Sequence, residues 1–153
     1  MECTLRDYRA SDFETLWRID QECFPPGLAY SRLELAGYIR RRNSVTVVAE
    51  LAGKVAGYIV AERGGRRAGH IITLDVRAPA RRAGLGSKLM ASAEERLRAQ
   101  GCSAVLLEVA VDNATAIAFY HRQGYATLAT IPRYYNDRAD ALLLGKKLTQ
   151  ETP

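Results

Sequence analysis

Residues Thr73 to Gly101 read TLDVRAPARRAGLGSKLMASAEERLRAQG, and this stretch decides the fold. An apolar run beginning at His70, HIITLDV, has the β-branched content of a strand. Leu85, Leu89, Ala93 and Leu97 recur at helical spacing, which predicts a helix from about Gly86 to Gln100, with Gly101 placed to cap its end. Between strand and helix stands RRAGLGSK, Arg81 to Lys88. Two arginines and two glycines crowd the helix entrance. The first N–H groups of a helix lack intrahelical acceptors, and the macrodipole favours negative charge there. Gly84 and Gly86 carry no Cβ to keep an anion from the backbone, and Arg81 and Arg82 supply positive charge. The alternative is a tight turn that needs glycine only for its dihedral angles, with solvated arginines.

Two common phosphate motifs do not fit. GxxxxGK[ST] requires a glycine five positions before Gly86, and residue 81 is arginine. GxGxxG requires a third glycine where Leu89 stands.

Downstream, SAVLLEVAV predicts a strong strand, and NATAIAFYHRQ a helix begun by Asp112 or Asn113 and closed by Gly124. YATLATI and DALLLGKKL read as two last strands joined by a loop, PRYYNDRA. Upstream, TLRDYR is an opening strand. Two helices follow, SDFETLWRIDQECF and SRLELAGYIRRR, each with a capping-box pattern, Ser11 with Glu14 and Ser31 with Glu34. Pro25, Pro26 and Gly27 separate them. SVTVVAEL and VAGYIVAER form a hairpin about a turn at Ala52–Lys54. The order β-α-α-β-β-β-α-β-α-β-β predicts an α/β fold, a mixed sheet with helices on both faces and a parallel pair around the glycine-rich helix.

The 153 residues read as a single domain, 1–153, with the 48% apolar and 25% charged content of an ordinary globular protein. The N-terminus carries charge from its second residue, and no run reaches the roughly 20 apolar residues of a membrane span. Three cysteines, Cys3, Cys23 and Cys102, form no CxxC, as expected of free thiols in a cytoplasmic protein. Two histidines without ligand spacing give no case for a metal. The net charge of +5 suits a polyanionic partner, either nucleic acid or a phosphate-bearing cofactor.

Arg81-Arg82-Ala83-Gly84-Leu85-Gly86 resembles motif A of the GNAT acetyltransferase superfamily, Arg/Gln-x-x-Gly-x-Gly/Ala. LLEVAVDNATAIAFYHRQGY resembles the strand and helix that follow in that family. The resemblance implies that Arg81 to Ser87 cradle the pyrophosphate of acetyl-coenzyme A. It further implies that the strand end Leu74–Val76 polarises the acetyl carbonyl and that Asn113 and Tyr120 meet the pantetheine arm. Asp75 departs from the apolar or small residue usual at its position.

Glu108 is the one charged side chain in AVLLEVAV. A carboxylate buried there alone would cost several kcal/mol, so it borders a wet cleft or has a partner, as an acid–base group or as a structural ion pair. Tyr120 is core by pattern alone; the resemblance implies a general acid for the leaving thiolate. His70 reads as a strand-end histidine or a proton relay across the cleft from Glu108.

Within the superfamily the chain most resembles the protein N-terminal acetyltransferases, in particular the bacterial ribosomal-protein-alanine N-acetyltransferase group. That implies a protein or peptide N-terminus as acceptor, no nucleic-acid or membrane partner, and Phe24, Tyr30, Tyr134 and Tyr135 as peptide contacts. An α-amine near pKa 8 loses its proton at neutral pH for about 1 kcal/mol, against roughly 4 for a lysine, which suits a glutamate working through water. A +5 enzyme would electrostatically repel a basic ribosomal substrate, so a small-molecule amine is the alternative acceptor. A non-catalytic nucleotide- or RNA-binding module using the arginine clusters is a remote one.

Overall fold

The strand–turn–helix unit sits at the centre of the molecule. In the computed structural model, which describes residues 2–135 and 139–148 except for the side chains of Arg82, Tyr135 and Ala139, the strand is β4 (Ala68–Val76). A 3-10 turn over Ala78–Ala83 follows it, and Gly84, at φ +74°, hands the chain to α3 (Leu85–Ala99). Leu85, Leu89, Ala93 and Leu97 are all fully buried, as their spacing predicts.

The remaining elements are β1 (Cys3–Asp7), α1 (Phe13–Cys23), α2 (Arg32–Arg40), β2 (Ser44–Leu51), β3 (Lys54–Arg63), β5 (Ala104–Ala110), α4 (Ala114–Arg122), β6 (Ala126–Tyr135) and β7 (Ala139–Lys147). The seven strands form one sheet in the order β1-β2-β3-β4-β5-β7-β6, mixed because β4 and β5 run parallel. The β2–β3 hairpin turns through Ala52 and Gly53, both at positive φ.

Each face of the sheet buries its own cluster. On one, Leu85, Leu89, Met90, Ala93 and Leu97 of α3 pack on Val47, Ile59, Ile71, Val105 and Leu107, with Ile117 and Phe119 of α4 at the margin. On the other, Leu16 and Ile19 of α1 and Leu35 and Ile39 of α2 pack on Val48, Tyr58 and Val60. This is the α/β arrangement with helices on both faces that the element order implies.

Two features position the site. The parallel β4–β5 pairing covers only Ala68, Gly69 and His70 against Ala104, Val105 and Leu106. Beyond His70 the strands separate and leave a wedge. Opposite β3, Ala61 pairs with Ile71 but Val60 pairs with Thr73, so Ile72 is an extra residue, a β-bulge. The bulge shifts the alternation. Ile71 joins the α3-side core and Ile72 the α1-side cluster, and Leu74 and Val76 return to the α3 side.

Two sequence expectations are corrected. At the start of α1 the carboxylate that organises the chain is Asp12, not the Ser11–Glu14 box. Ser11 lies within a 3-10 turn, while Asp12 accepts from the Arg9 N–H at 2.8 Å and from the Arg6 guanidinium. Residues 132–135, expected in a loop, extend β6 past a register break, with Arg133 at φ +54° and its N–H donated to the Asp140 carboxylate. The Ser31–Glu34 box forms as read, each side chain accepting the other's N–H at 3.0–3.1 Å.

A Cβ on Gly57 would stand 2.7 Å from the Asp75 carbonyl oxygen, a backbone atom that cannot give way. Gly57→Ala is therefore expected to destabilise the fold by about 1–3 kcal/mol, the usual cost of overpacking. Urea unfolding with an unchanged m-value but a lowered midpoint is the check.

Candidate active site

The wedge between β4 and β5 is a cleft of about 740 Å³, within the range of small-molecule sites. One wall is β4 from Ile71 to Val76 and the other is β5 from Leu107 to Ala110. Arg81, Gly84, Gly86 and Ser87 from the turn into α3 line it with Asn113, Phe119 and Tyr120 from α4 and its cap. So do Phe24, Leu28 and Tyr30 from the α1–α2 connection, and Tyr134 of β6.

At the glycine turn, the missing Cβ of Gly84 faces open space, with no atom within 4 Å. Its left-handed backbone leaves the N–H groups that open α3 unobstructed, and these are the donors a pyrophosphate requires. Gly86 has a different reason. A Cβ there would come within 3.2 Å of the Phe119 ring, so this glycine lets α4 dock against the start of α3. Arg81 folds back, its Nε donating to the Val76 carbonyl at 3.0 Å and an Nη reaching Cys23 Sγ at 3.9 Å. The Leu85 side chain is core, so only its backbone faces the turn, and Ala83 is exposed. The Arg82 and Tyr135 side chains lie outside the described residues.

Asn113 caps α4, its side chain accepting from the Ala116 N–H at 3.2 Å. Tyr120, two turns on, stacks edge-on against Phe119 and Tyr125, with ring centroids 5.3 and 6.1 Å away. Gln123 Nε2 donates to Ser87 Oγ at 2.9 Å and ties the end of α4 to the start of α3.

Glu108 lines the cleft, and its Oε1 lies 2.6 Å from His70 Nε2, at the point where the strands part. Their side chains are 33% and 16% exposed, so both remain reachable by water. The Tyr134 hydroxyl lies against Glu108. Burial first, and then the charge and hydrogen bonding of that carboxylate, push its phenol up to about 12. Cys23 is also on the wall, its thiol pushed up to about 11 chiefly by burial. That makes it a poor nucleophile.

Of the residues that the resemblance implied, Leu74, Val76, Arg81, Gly84, Gly86, Ser87, Asn113 and Tyr120 for the cofactor and Phe24, Tyr30 and Tyr134 for the acceptor border one cleft, while Ala83 and Leu85 do not line it. Sequence reasoning missed Cys23, Leu28, Thr115, Arg122 and Gln123, which also line it. Arg122 carried a signal, a cation in the last turn of a helix near the glycine turn; the others carried none. His70, read from the sequence as a strand-end histidine or a relay across from Glu108, is in direct contact with that carboxylate. Asp75 points away from the cleft, into the α1 side, fully buried.

Residues 13–125 match the model of the acetyltransferase (GNAT) family. An uncharacterized N-acetyltransferase of Methanocaldococcus jannaschii is 33% identical, over 94% of this chain and 90% of its own. An N-alpha-acetyltransferase of Sulfurisphaera tokodaii is 28% identical, over 96% and 94%. Among solved structures, Ard1 from Thermoplasma volcanium superposes with a TM-score of 0.90 at 30% identity, covering 98% of this chain and all of that one. The ribosomal-protein-S18-alanine N-acetyltransferase from Escherichia coli shares the fold, with a TM-score of 0.86 at 21% identity over 99% and 97%.

Replacing Glu108 by Gln removes the charge but not the burial felt by Tyr134. The phenol pKa is expected to fall from about 12 while staying above 10. Titration of ring-labelled tyrosine by NMR reads this; an unmoved Tyr134 would mean that the carboxylate is not its neighbour in solution.

Proposed function

The chain belongs to the GNAT acetyltransferase family: it is an N-acetyltransferase, and its acetyl donor is acetyl-coenzyme A. We propose that residues 1–153 act as one domain that acetylates the N-terminal α-amino group of a protein or peptide. The observation that carries this reading is Glu108, held by His70 at 2.6 Å, in a single cleft that it lines together with the glycine turn and with Phe24, Tyr30 and Tyr134. The names of the S. tokodaii relative and of the T. volcanium structure support it.

When bound, acetyl-coenzyme A supplies an activated thioester, so no protein nucleophile is needed. In this proposal the N–H groups opening α3 at Leu85–Ser87, after Gly84, hold the pyrophosphate, with Arg81 beside them and Arg82 and Ala83 in the same turn. Leu74 and Val76 offer the β4 backbone to the acetyl carbonyl, along the edge that has no β5 partner beyond His70. Asn113 faces the pantetheine arm while capping α4.

Glu108 takes the amine proton, directly or through one water, and His70 holds its carboxylate in place at 2.6 Å. An α-amine near pKa 8 asks little of such a base, which is why it suits this site better than a lysine side chain. Tyr120 returns a proton to the departing sulfur. Phe24, Tyr30 and Tyr134 flank an extended peptide backbone.

Mass spectrometry after incubation with acetyl-coenzyme A and a mixture of peptides and small amines tests the acceptor. Acetyl on peptide α-amines is expected. Acetyl on small amines alone would overturn the reading in favour of the small-molecule alternative. Glu108→Gln and Tyr120→Phe are each expected to lower kcat by about 10²–10⁴-fold, the range of general acid–base contributions, with coenzyme A affinity retained. Unchanged kcat in both would remove the proposed roles.

A further inference from the structure

Asp75, Asp20 and Tyr58 lie side by side between α1 and the sheet, and each is fully buried. Thr73 Oγ1 donates to Asp75 Oδ1 at 2.6 Å. The Tyr30 N–H donates to Asp20 Oδ2 at 2.7 Å. With both acids ionised, Asp20 Oδ1, Asp75 Oδ2 and the Tyr58 hydroxyl have no hydrogen-bond partner. Two adjacent buried carboxylates without a cation are untenable, whereas one proton between them satisfies both orphaned oxygens.

We propose that Asp75 and Asp20 share one proton and act as a positioning pair that holds the Phe24–Tyr30 loop against β4. The Asp75 carboxyl donates from Oδ2 to Asp20 Oδ1, with the buried Tyr58 hydroxyl beside the pair. Asp20 in turn fixes the backbone of Tyr30, whose hydroxyl donates to the Ile72 carbonyl at 3.3 Å and whose ring lines the cleft.

The groups that face Asp75 are Asp20 and Cys23 from α1, Tyr58 from β3 and Thr73 from β4 itself. Arg81 reaches the sulfur of Cys23 and lies beyond it. Burial, followed by the neighbouring Asp20, raises the Asp75 carboxyl well above the ordinary 3.8. The loop's role as the acceptor wall rests on the N-terminal acetylation reading; the shared proton does not.

The sign of the pH dependence follows. The folded chain keeps a proton that the unfolded chain releases above about pH 4. Stability from this group is therefore full below that pH and is lost as pH rises toward the folded value. Asp75→Asn replaces the shared proton with an amide N–H that does not titrate. Above about pH 4 and up to the folded value, its folding constant relative to the parent protein is expected to rise with pH, with a limiting slope of about tenfold per pH unit.

Asp75→Ala removes the donor altogether. It is expected to raise the acceptor KM about tenfold while leaving acetyl-coenzyme A affinity and kcat within a few-fold, and Asp75→Asn restores the KM. Parallel pH–stability curves for the parent and Asp75→Asn would overturn the shared proton. An unchanged KM in Asp75→Ala, or equal damage in Ala and Asn variants, would overturn the positioning role. The stability comparison needs no acceptor and does not depend on Asp75→Ala folding, so its failure is distinct from a failure of the N-terminal reading.

Discussion

The early end of the β4–β5 pairing is the constraint on which the rest of this structure depends. Parallel strands gain their stability by continuing side by side, and here they do so for three residue pairs. Gly69 makes the shared part tight, because a side chain there would collide with Leu97 of α3. Just beyond, the Ile72 bulge bends β4 and re-aims its alternation. A wedge opens with backbone polar groups along one edge and a carboxylate on the facing strand. In a sheet that stayed paired, Glu108 would be a liability. In this one it stands at the mouth of the opening, with His70 as its partner.

The docking of α4 follows from the same opening. No residue of this helix is buried, so its apolar face alone cannot fix its position. It is held at particular points instead. The Phe119 ring sits where Gly86 has no side chain, and Gln123 bonds Ser87. The Tyr125 hydroxyl donates to Glu94 at 2.7 Å, and Lys146 donates to the other oxygen of the same carboxylate. Tyr120 is packed between Phe119 and Tyr125, so these contacts determine where its ring stands in the cleft.

What was legible in the sequence is what local chemistry dictates. The Leu85–Leu97 stripe, the Ser31–Glu34 box and the turns at Gly53, Gly84, Gly101 and Gly124 each depend on residues within one turn or hairpin. The need of Glu108 for a partner was legible too, because burial makes it obligatory. The identity of that partner was not: His70 is 38 residues away, and only the register Ala68–Ala104 brings the two together. The place of Asp75, a departure from the usual residue at its position, was hidden for the same reason. Strict alternation cannot reveal a bulge three residues earlier, nor that Asp20, 55 positions back in the chain, lies opposite. The extension of β6 through PRYY was hidden by Pro132, which is tolerated on an edge strand because its missing N–H breaks no ladder.

The two cores divide the labour, and β4 is the element they share. The glycine turn and α3 lie on the side where Leu74 and Val76 pack. Tyr30 and its neighbours from α1 and α2 pack on the other. The two sides meet where Arg81 reaches Cys23 at 3.9 Å. They are joined again at Asp75. Its backbone lies between Leu74 and Val76, and its side chain reaches Asp20, which holds Tyr30. In the proposed reading, whatever sets the protonation of that one carboxyl therefore bears on how the two walls of the cleft are aligned, and alignment within about an ångström is what a direct transfer between two bound molecules requires.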